Sequence, residues 1–192
     1  TIVMFTAGTT GTPKGVMLSH NSFTSYILAN VEPVDMESAE RNILTVPLHH
    51  IAGMQAVMAA IYGGRTLVLQ RQFDAEGWMQ LVQNKQVNRA MMVPTMLKML
   101  MDQPSFNDYD LSSLRTICST GSPLSKDGFS YIYNNIKQNV HLASISGGTD
   151  IVSCFVLGNL FQPVYEGEIQ NRGLGMDVDI FDEKGSPINN MK

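Results

Sequence analysis

Charge is scarce in this sequence. Only 16% of its 192 residues are Asp, Glu, Lys or Arg, and 17 acids against 13 bases leave a formal net charge of −4. That excludes the broad cationic field nucleic-acid binding requires, so any anion must be met by a local arrangement. Cysteine is almost absent. Cys118 and Cys154 stand 36 residues apart, with no further cysteine beside either and no histidine at ligand spacing, which removes a disulfide framework and a zinc site. Both lie in apolar runs and read as buried thiols of a reducing, cytoplasmic compartment, with no activating partner in view. No apolar run reaches the roughly 20 residues of a membrane-spanning helix, nothing resembles a signal peptide, and no repeat or low-complexity segment occurs. The chain opens on Thr1 within an apolar strand and stops at Lys192 after a turn, so the expectation is a piece of a larger protein.

What the sequence does have is 44% apolar residues, enough for a core, and an unusual start. Ile2-Val3-Met4-Phe5 reads as a strand, and Thr6-Ala7-Gly8-Thr9-Thr10-Gly11-Thr12-Pro13-Lys14-Gly15 packs three glycines, four threonines and a lysine into ten residues. Two readings stand. It is a Gly/Thr turn joining two strands, or it is a phosphate cradle, in which glycines admit an anion to the backbone N–H groups and Lys14 adds a point charge. The Walker spacing fails, since Lys14 is followed by Gly15 and not by Ser or Thr.

The chain then alternates. Val16–Leu18 reads as a second strand and Ser19-His20-Asn21 as the cap of a helix through about Asn30, with His20 a cap or surface residue. Residues 31–42 read as a loop, Ile43–Val46 as a buried strand ending at Pro47, and Met54 to about Tyr62 as a helix. Gly63-Gly64 turns into the strand Thr66–Leu69. Asp74 caps a helix to about Gln83 that buries Trp78, Leu81 and Val82. The strand Arg89–Val93 leads to Pro94 at the first position of a Met/Leu-rich helix through Met101. The methionines at 91, 92, 96, 99 and 101 are expected as core filler. After a polar loop at 104–113 come a strand at Leu114–Cys118, a helix at about 125–138, and a strand at Val140–Ile145. Strand and helix in alternation predict an α/β fold: a mostly parallel sheet covered by helices, ending in a β-hairpin region. In that region Val178–Asp182 reads as a first strand, with Asp182 and Glu183 as turn residues.

Three further places carry polar chemistry. His49 and His50 adjoin at a strand end; neighbours on a strand face opposite ways, which disfavours a shared metal ion and leaves a loop pair with one ring bonded to backbone. Gly121-Ser122-Pro123 follows a parallel strand, where open α/β sheets place ligands, though it also suits a plain turn. Ser146-Gly147-Gly148-Thr149-Asp150 brings a hydroxyl and a carboxylate to another strand end, suiting a phosphate and its metal or, again, an Asp-containing turn.

As a whole string, Thr-x-Gly-Thr-Thr-Gly-x-Pro-Lys-Gly resembles the signature loop of the adenylate-forming (AMP-binding) superfamily, which includes acyl-CoA synthetases, adenylation domains of peptide synthetases and luciferases. Ala7 stands where the family usually has Ser. The resemblance implies ATP-dependent activation of a carboxylic or fatty acid to an acyl-adenylate, then transfer to coenzyme A, with ATP, Mg²⁺ and CoA as partners. It implies that Thr6, Gly8, Thr9, Thr10, Gly11 and Lys14 hold the triphosphate and that Gly121, Ser122 and Pro123 run along the adenine. Gly147, Gly148 and Thr149 would meet the α-phosphate, Asp150 the metal, and His50 the acyl site. Catalytic roles would fall to Lys14, Thr149 and His50. Ser146 and Asp150 replace the family's aromatic and Glu. Gly147–Ile151 with 164–170 and 173–176 resembles the acetoacetyl-CoA synthetase branch, whereas the opening loop resembles fatty-acyl-CoA ligases.

This predicts a nucleotide- and acyl-binding core over 1–160 and the start of a β-rich subdomain over 161–192. The family's ribose-binding Asp, hinge and mobile C-terminal domain would lie beyond Lys192, leaving the isolated chain inactive. The alternatives are an adenylation domain loading a carrier-protein thiol and a non-catalytic nucleotide-binding module.

Overall fold

A computed structural model describes residues 2–6, 11–35 and 39–188. Its centre is a five-stranded, all-parallel sheet made of β3 (Arg41–Leu44), β4 (Thr66–Leu69), β5 (Arg89–Met92), β6 (Thr116–Ser119) and β7 (His141–Ser144), in spatial order β4-β3-β5-β6-β7. The chain therefore leaves β3 in one direction to form β4 and resumes on the other side with β5. Such a reversal opens a crevice above the carboxyl ends of the two strands it separates. Two antiparallel pieces adjoin the sheet: the hairpin β1 (Ile2–Thr6) with β2 (Lys14–Leu18), and a small sheet of β8 (Ser146–Gly148), β9 (Ser153–Leu157) and β10 (Asn171–Arg172) in order β10-β9-β8.

The helices begin where side chains satisfy their free N–H groups. Ser19 caps α1 (His20–Asn30), His50 caps α2 (Ile51–Gly63), and Asp74 caps α3 (Ala75–Lys85) by accepting from the Gly77 amide at 2.7 Å. Pro94 opens α4 (Pro94–Met101), and Ser125 caps α5 (Lys126–Tyr131), which continues as a π-helical segment over Ile132–Ile136. Parallel strands are covered on both faces, so their crossovers carry the apolar residues of the core. Trp78, Met79 and Val82 of α3, Leu97 and Leu100 of α4, and Phe129 and Ile132 join Ile43, Met92, Ile117 and Leu142 in one large buried cluster. A second, smaller cluster holds Met4, Leu18, Phe23, Ile51 and Val152.

Several expectations shift. The β3 strand begins two residues early and ends at Leu44, and the helix over about 125–138 divides into an α and a π part. The segment at 104–113 is not merely polar, because a 3₁₀ turn over Phe106–Asp108 buries Phe106. The methionines separate: Met92 is buried, while Met99 and Met101 are exposed. A short antiparallel bridge between Phe181 and Pro187 closes the expected terminal turn, in which Asp182 Oδ1 accepts from the amides of Lys184 and Ser186.

Candidate functional site

A cavity of about 840 Å³ lies where β3, β5, β6 and β7 release the chain at their carboxyl ends. Val46 and Pro47 follow β3, Val93 follows β5, Thr120–Leu124 follow β6, and Ser144–Thr149 include the last residue of β7 and all of β8. The first turns of α2 add His50, Ile51, Ala52 and Gln55. The position follows from topology, since parallel strands deliver every carboxyl end to one edge and the order reverses between β3 and β5.

The lining is neutral. No Asp, Glu, Lys or Arg is among the described residues that line the cavity; it offers hydroxyls and glycine amides on one part of its wall and Val46, Met91, Met96 and Ile145 on another. An apolar pocket with few convergent polar groups suits a small organic ligand whose charge is met at the rim.

The structure brings together some of the expected residues and separates others. His50, Gly121, Ser122, Pro123, Gly147, Gly148 and Thr149 share this one cavity. Thr6, Gly11 and Lys14 do not line it. Thr6 ends β1, its hydroxyl donating to the Lys14 carbonyl at 3.4 Å, and Lys14 faces it across the hairpin as an exposed first residue of β2. The two strands thus pair antiparallel. The residues expected to hold phosphate at Gly8, Thr9 and Thr10 lie outside the described residues. Asp150 also lies off the cavity wall, exposed beside Thr149 in the turn between β8 and β9.

His50 has a structural occupation. Its Nδ1 accepts from the Ala52 amide at 3.2 Å, which caps α2 and places the ring proton of the neutral imidazole on Nε2. His49 is exposed and does not line the cavity. Among the described residues no group of three or more His, Cys, Asp or Glu side chains is arranged to hold a metal ion. A single carboxylate nevertheless fits Mg²⁺ in a nucleotide site, because that ion takes one or two protein carboxylates and fills its remaining positions with phosphate oxygens and water.

Glycine is required at two positions by different causes. A Cβ on Gly147 would stand 2.3 Å from the Ser153 carbonyl oxygen, so β8 and β9 approach each other here only because no side chain intervenes. Gly121 has φ of +85°, a conformation that side chains with a Cβ rarely adopt. Against that pattern, Val152 carries a β-branched side chain at φ 53°, a combination that costs on the order of 1–3 kcal/mol.

Some lining residues are not those the sequence singles out. Met91 and Met96, expected as core filler, reach the cavity, as do Gln55, Ile145 and Ile169. Cys154, expected buried, is partly exposed and lines the wall; Cys118 is also partly exposed. Although both residues are partly exposed, burial of the sulfur pushes both thiols up, Cys118 from an ordinary 9.0 to about 11, which disfavours the thiolate at both. Only Ile145, directly after β7, could have been found from its position at the carboxyl end of a parallel strand; Met91 lies within β5, Met96 in α4, Gln55 in α2 and Cys154 in the antiparallel β9.

Comparison with known proteins agrees with this geometry. The family profile described as AMP-binding enzyme matches residues 1–188. An acetoacetyl-coenzyme A synthetase of Rhizobium meliloti (strain 1021) is 62% identical over 84 residues, 44% of this chain and 13% of that protein. An indoleacetate–CoA ligase of Aromatoleum aromaticum is 30% identical over 150 residues, 78% of this chain and 29% of that protein. Among solved structures, the o-succinylbenzoate coenzyme A synthetase of Bacillus subtilis in complex with ATP and magnesium ion superimposes with a TM-score of 0.80 over 99% of this chain and 39% of that one, at 21% identity. The N-terminal domain of FACL13 from Mycobacterium tuberculosis gives 0.71 over 81% and 38%, at 26% identity. The chain thus spans well under half the length of these relatives.

Proposed function

Since the chain belongs to the AMP-binding enzyme family, we propose that it forms the nucleotide- and acyl-binding part of an ATP-dependent acid–thiol ligase. A substrate carboxylate oxygen attacks the α-phosphorus of ATP, the bond to the bridging oxygen breaks, and pyrophosphate leaves with that electron pair. The thiol of coenzyme A then attacks the acyl carbon and AMP departs. The observation that carries this reading is that Gly121–Pro123 and Gly147–Thr149, two loops far apart in sequence, wall the same cavity at the carboxyl edge of the sheet.

In this reading the glycine amides and Ser122 lie along the adenine, and the Thr149 hydroxyl donates to the α-phosphate. Lys14, with the loop that precedes it, meets the β- and γ-phosphates from the rim. Asp150 would hold Mg²⁺, which supplies charge neutralisation on the phosphates when bound. His50, at the start of α2, borders the acyl side, where Met91 and Met96 give an apolar surface. Positioning and preorganised donors account for most of the catalysis asked of these residues, because such a reaction requires alignment and the neutralisation of developing charge. The division into a core over 1–160 and the start of a β-rich subdomain over 161–192 is part of the same proposal; β10 of the later segment pairs with β9 of the earlier one, and Gly167 and Ile169 reach the cavity.

The test is ATP–pyrophosphate exchange by the full-length protein across a panel of carboxylic acids, followed by thioester formation with free coenzyme A. Exchange with at least one acid and consumption of CoA is the expected result. Exchange without CoA consumption would point to a carrier-protein thiol, and no exchange with any acid would leave a nucleotide-binding module. Lys14→Ala is expected to slow exchange at least about tenfold, the effect of one lost charge-assisted phosphate contact.

A further inference from the structure

The turn between β8 and β9 spans residues 149–152 and ends in a residue unsuited to its own backbone. The last position of a short hairpin loop commonly takes the left-handed conformation, which glycine and asparagine enter readily and β-branched residues resist. Val152 is there at φ 53°, fully buried. Three contacts hold it. Its side chain belongs to the cluster with Met4, Leu18, Phe23 and Ile51; its amide donates to the Thr149 carbonyl at 3.3 Å; and its carbonyl accepts from Gln55 Nε2 of α2 at 2.8 Å, across 97 residues of sequence.

We infer that Gln55 and Val152 are a positioning pair that fixes the turn presenting Thr149 and Asp150. A glycine at 152 would relieve the backbone but leave the turn without an anchor in the cluster, and a polar residue would be buried there. Valine anchors the turn at the expense of an unfavourable φ, and Gln55 ties down the carbonyl that this conformation turns toward α2. The cluster adds reach: Met4 and Leu18 belong to the two strands that flank the Thr6–Gly15 loop, and Ile51 follows His50. One buried valine therefore connects the metal-side turn with the strands of the triphosphate loop and the start of α2. Gln55 also lines the cavity, yet its amide is engaged by backbone, so it acts through the turn.

The inference rests on the proposed function for what the turn presents, and its test separates the two. In the full-length protein, Gln55→Leu keeps the side chain's size and removes the donor, while Val152→Gly removes the anchor and leaves φ at ease. Amide hydrogen exchange over 149–153 and the Mg²⁺ concentration that half-saturates ATP binding are measured for each. Both variants are expected to speed exchange in that turn about tenfold with the parallel sheet unchanged, and to raise the half-saturating Mg²⁺ concentration about tenfold, the scale of one lost hydrogen bond. Affinity for ATP without Mg²⁺ should move much less, a split that a general loss of structure would not produce. Unchanged exchange in both variants, or a loosened turn with unaltered Mg²⁺ dependence, would overturn the inference. A wild-type protein that binds no ATP would instead bring down the proposed function, and this inference with it, before any variant is compared.

Discussion

The molecule has two apolar clusters that differ in what they hold. The larger joins the parallel sheet to α3, α4 and α5, and its central residues, Trp78, Leu100, Leu114, Ile117 and Leu142, are withdrawn completely from water. The smaller has only Met4, Leu18, Phe23, Ile51 and Val152 at its centre, drawn from the opening hairpin, α1, α2 and the 149–152 turn. The first specifies the fold and contributes little to the cavity. The second contributes little area, yet the two strands of the opening hairpin, the start of α2 and the 149–152 turn each send a residue into it. Stability and site geometry are thus assigned to different clusters, and substitutions should separate them.

The widest separation should come from Trp78→Ala. Truncating a fully buried aromatic costs about 3–5 kcal/mol, a large fraction of the roughly 5–15 kcal/mol that holds an ordinary domain together, as a lowered melting temperature and solubility would show. Leu18→Ala in the small cluster should fall toward the low end of about 2–5 kcal/mol, because the hairpin beside it can relax. Its loss of ATP affinity, measured by titration of the folded variant, should exceed that of an equally destabilising change in the large cluster. Equal losses would erase the distinction.

A finer comparison lies within β8. Gly147→Ala drives a Cβ to 2.3 Å from the Ser153 carbonyl, whereas at Gly148 the same Cβ would meet the Phe155 ring at 3.5 Å, an ordinary contact. The first should cost about 1–3 kcal/mol in denaturant unfolding by overpacking, and the second should stay within about 0.5 kcal/mol.

The smallest effect concerns pH. Burial holds the Cys118 thiol at about 11 against an ordinary 9.0, and it raises Tyr26, Tyr131 and Tyr133 as well. A raised pKa means that the folded state keeps a proton the unfolded chain releases, so this contribution is complete below pH 9 and fades as pH climbs toward 11. The melting temperature should decline across that interval, and Cys118→Ala should flatten the decline. An unchanged slope would mean that the tyrosines and Cys154 carry it.

The sequence made the regular parts of the fold legible because local chemistry agreed with tertiary structure there. Asp74 and Pro94 mark helix starts by their capping chemistry, and Thr66–Leu69 has both the β-branched composition and the turn before it. The small antiparallel sheet was not legible. Ser146-Gly147-Gly148 has poor strand propensity and reads as a loop; it becomes β8 only because β9 pairs with it. The π-helical stretch at Ile132–Ile136 likewise has no local signal that separates it from the helix before it.

In the candidate site, glycine and hydroxyl positions at strand ends were readable, and the loops at Gly121–Pro123 and Gly147–Thr149 line one cavity. Met91 in β5, Met96 in α4 and Cys154 in β9 were not, since an apolar residue within an element looks the same in sequence whether it faces the core or a cavity. Val152 was least readable of all: a β-branched residue argues against the very conformation it adopts, and only its packing reveals why it is there.

The two suppressed thiols have a practical consequence. Burial holds the Cys118 thiol at about 11, and Cys154 is shifted in the same direction, so the thiolate is disfavoured at both near neutral pH. Both thiols within residues 1–192 should therefore lag behind an ordinary exposed cysteine in maleimide labelling. A cysteine introduced at Phe161, which is 97% exposed, should take up a maleimide fluorophore ahead of both.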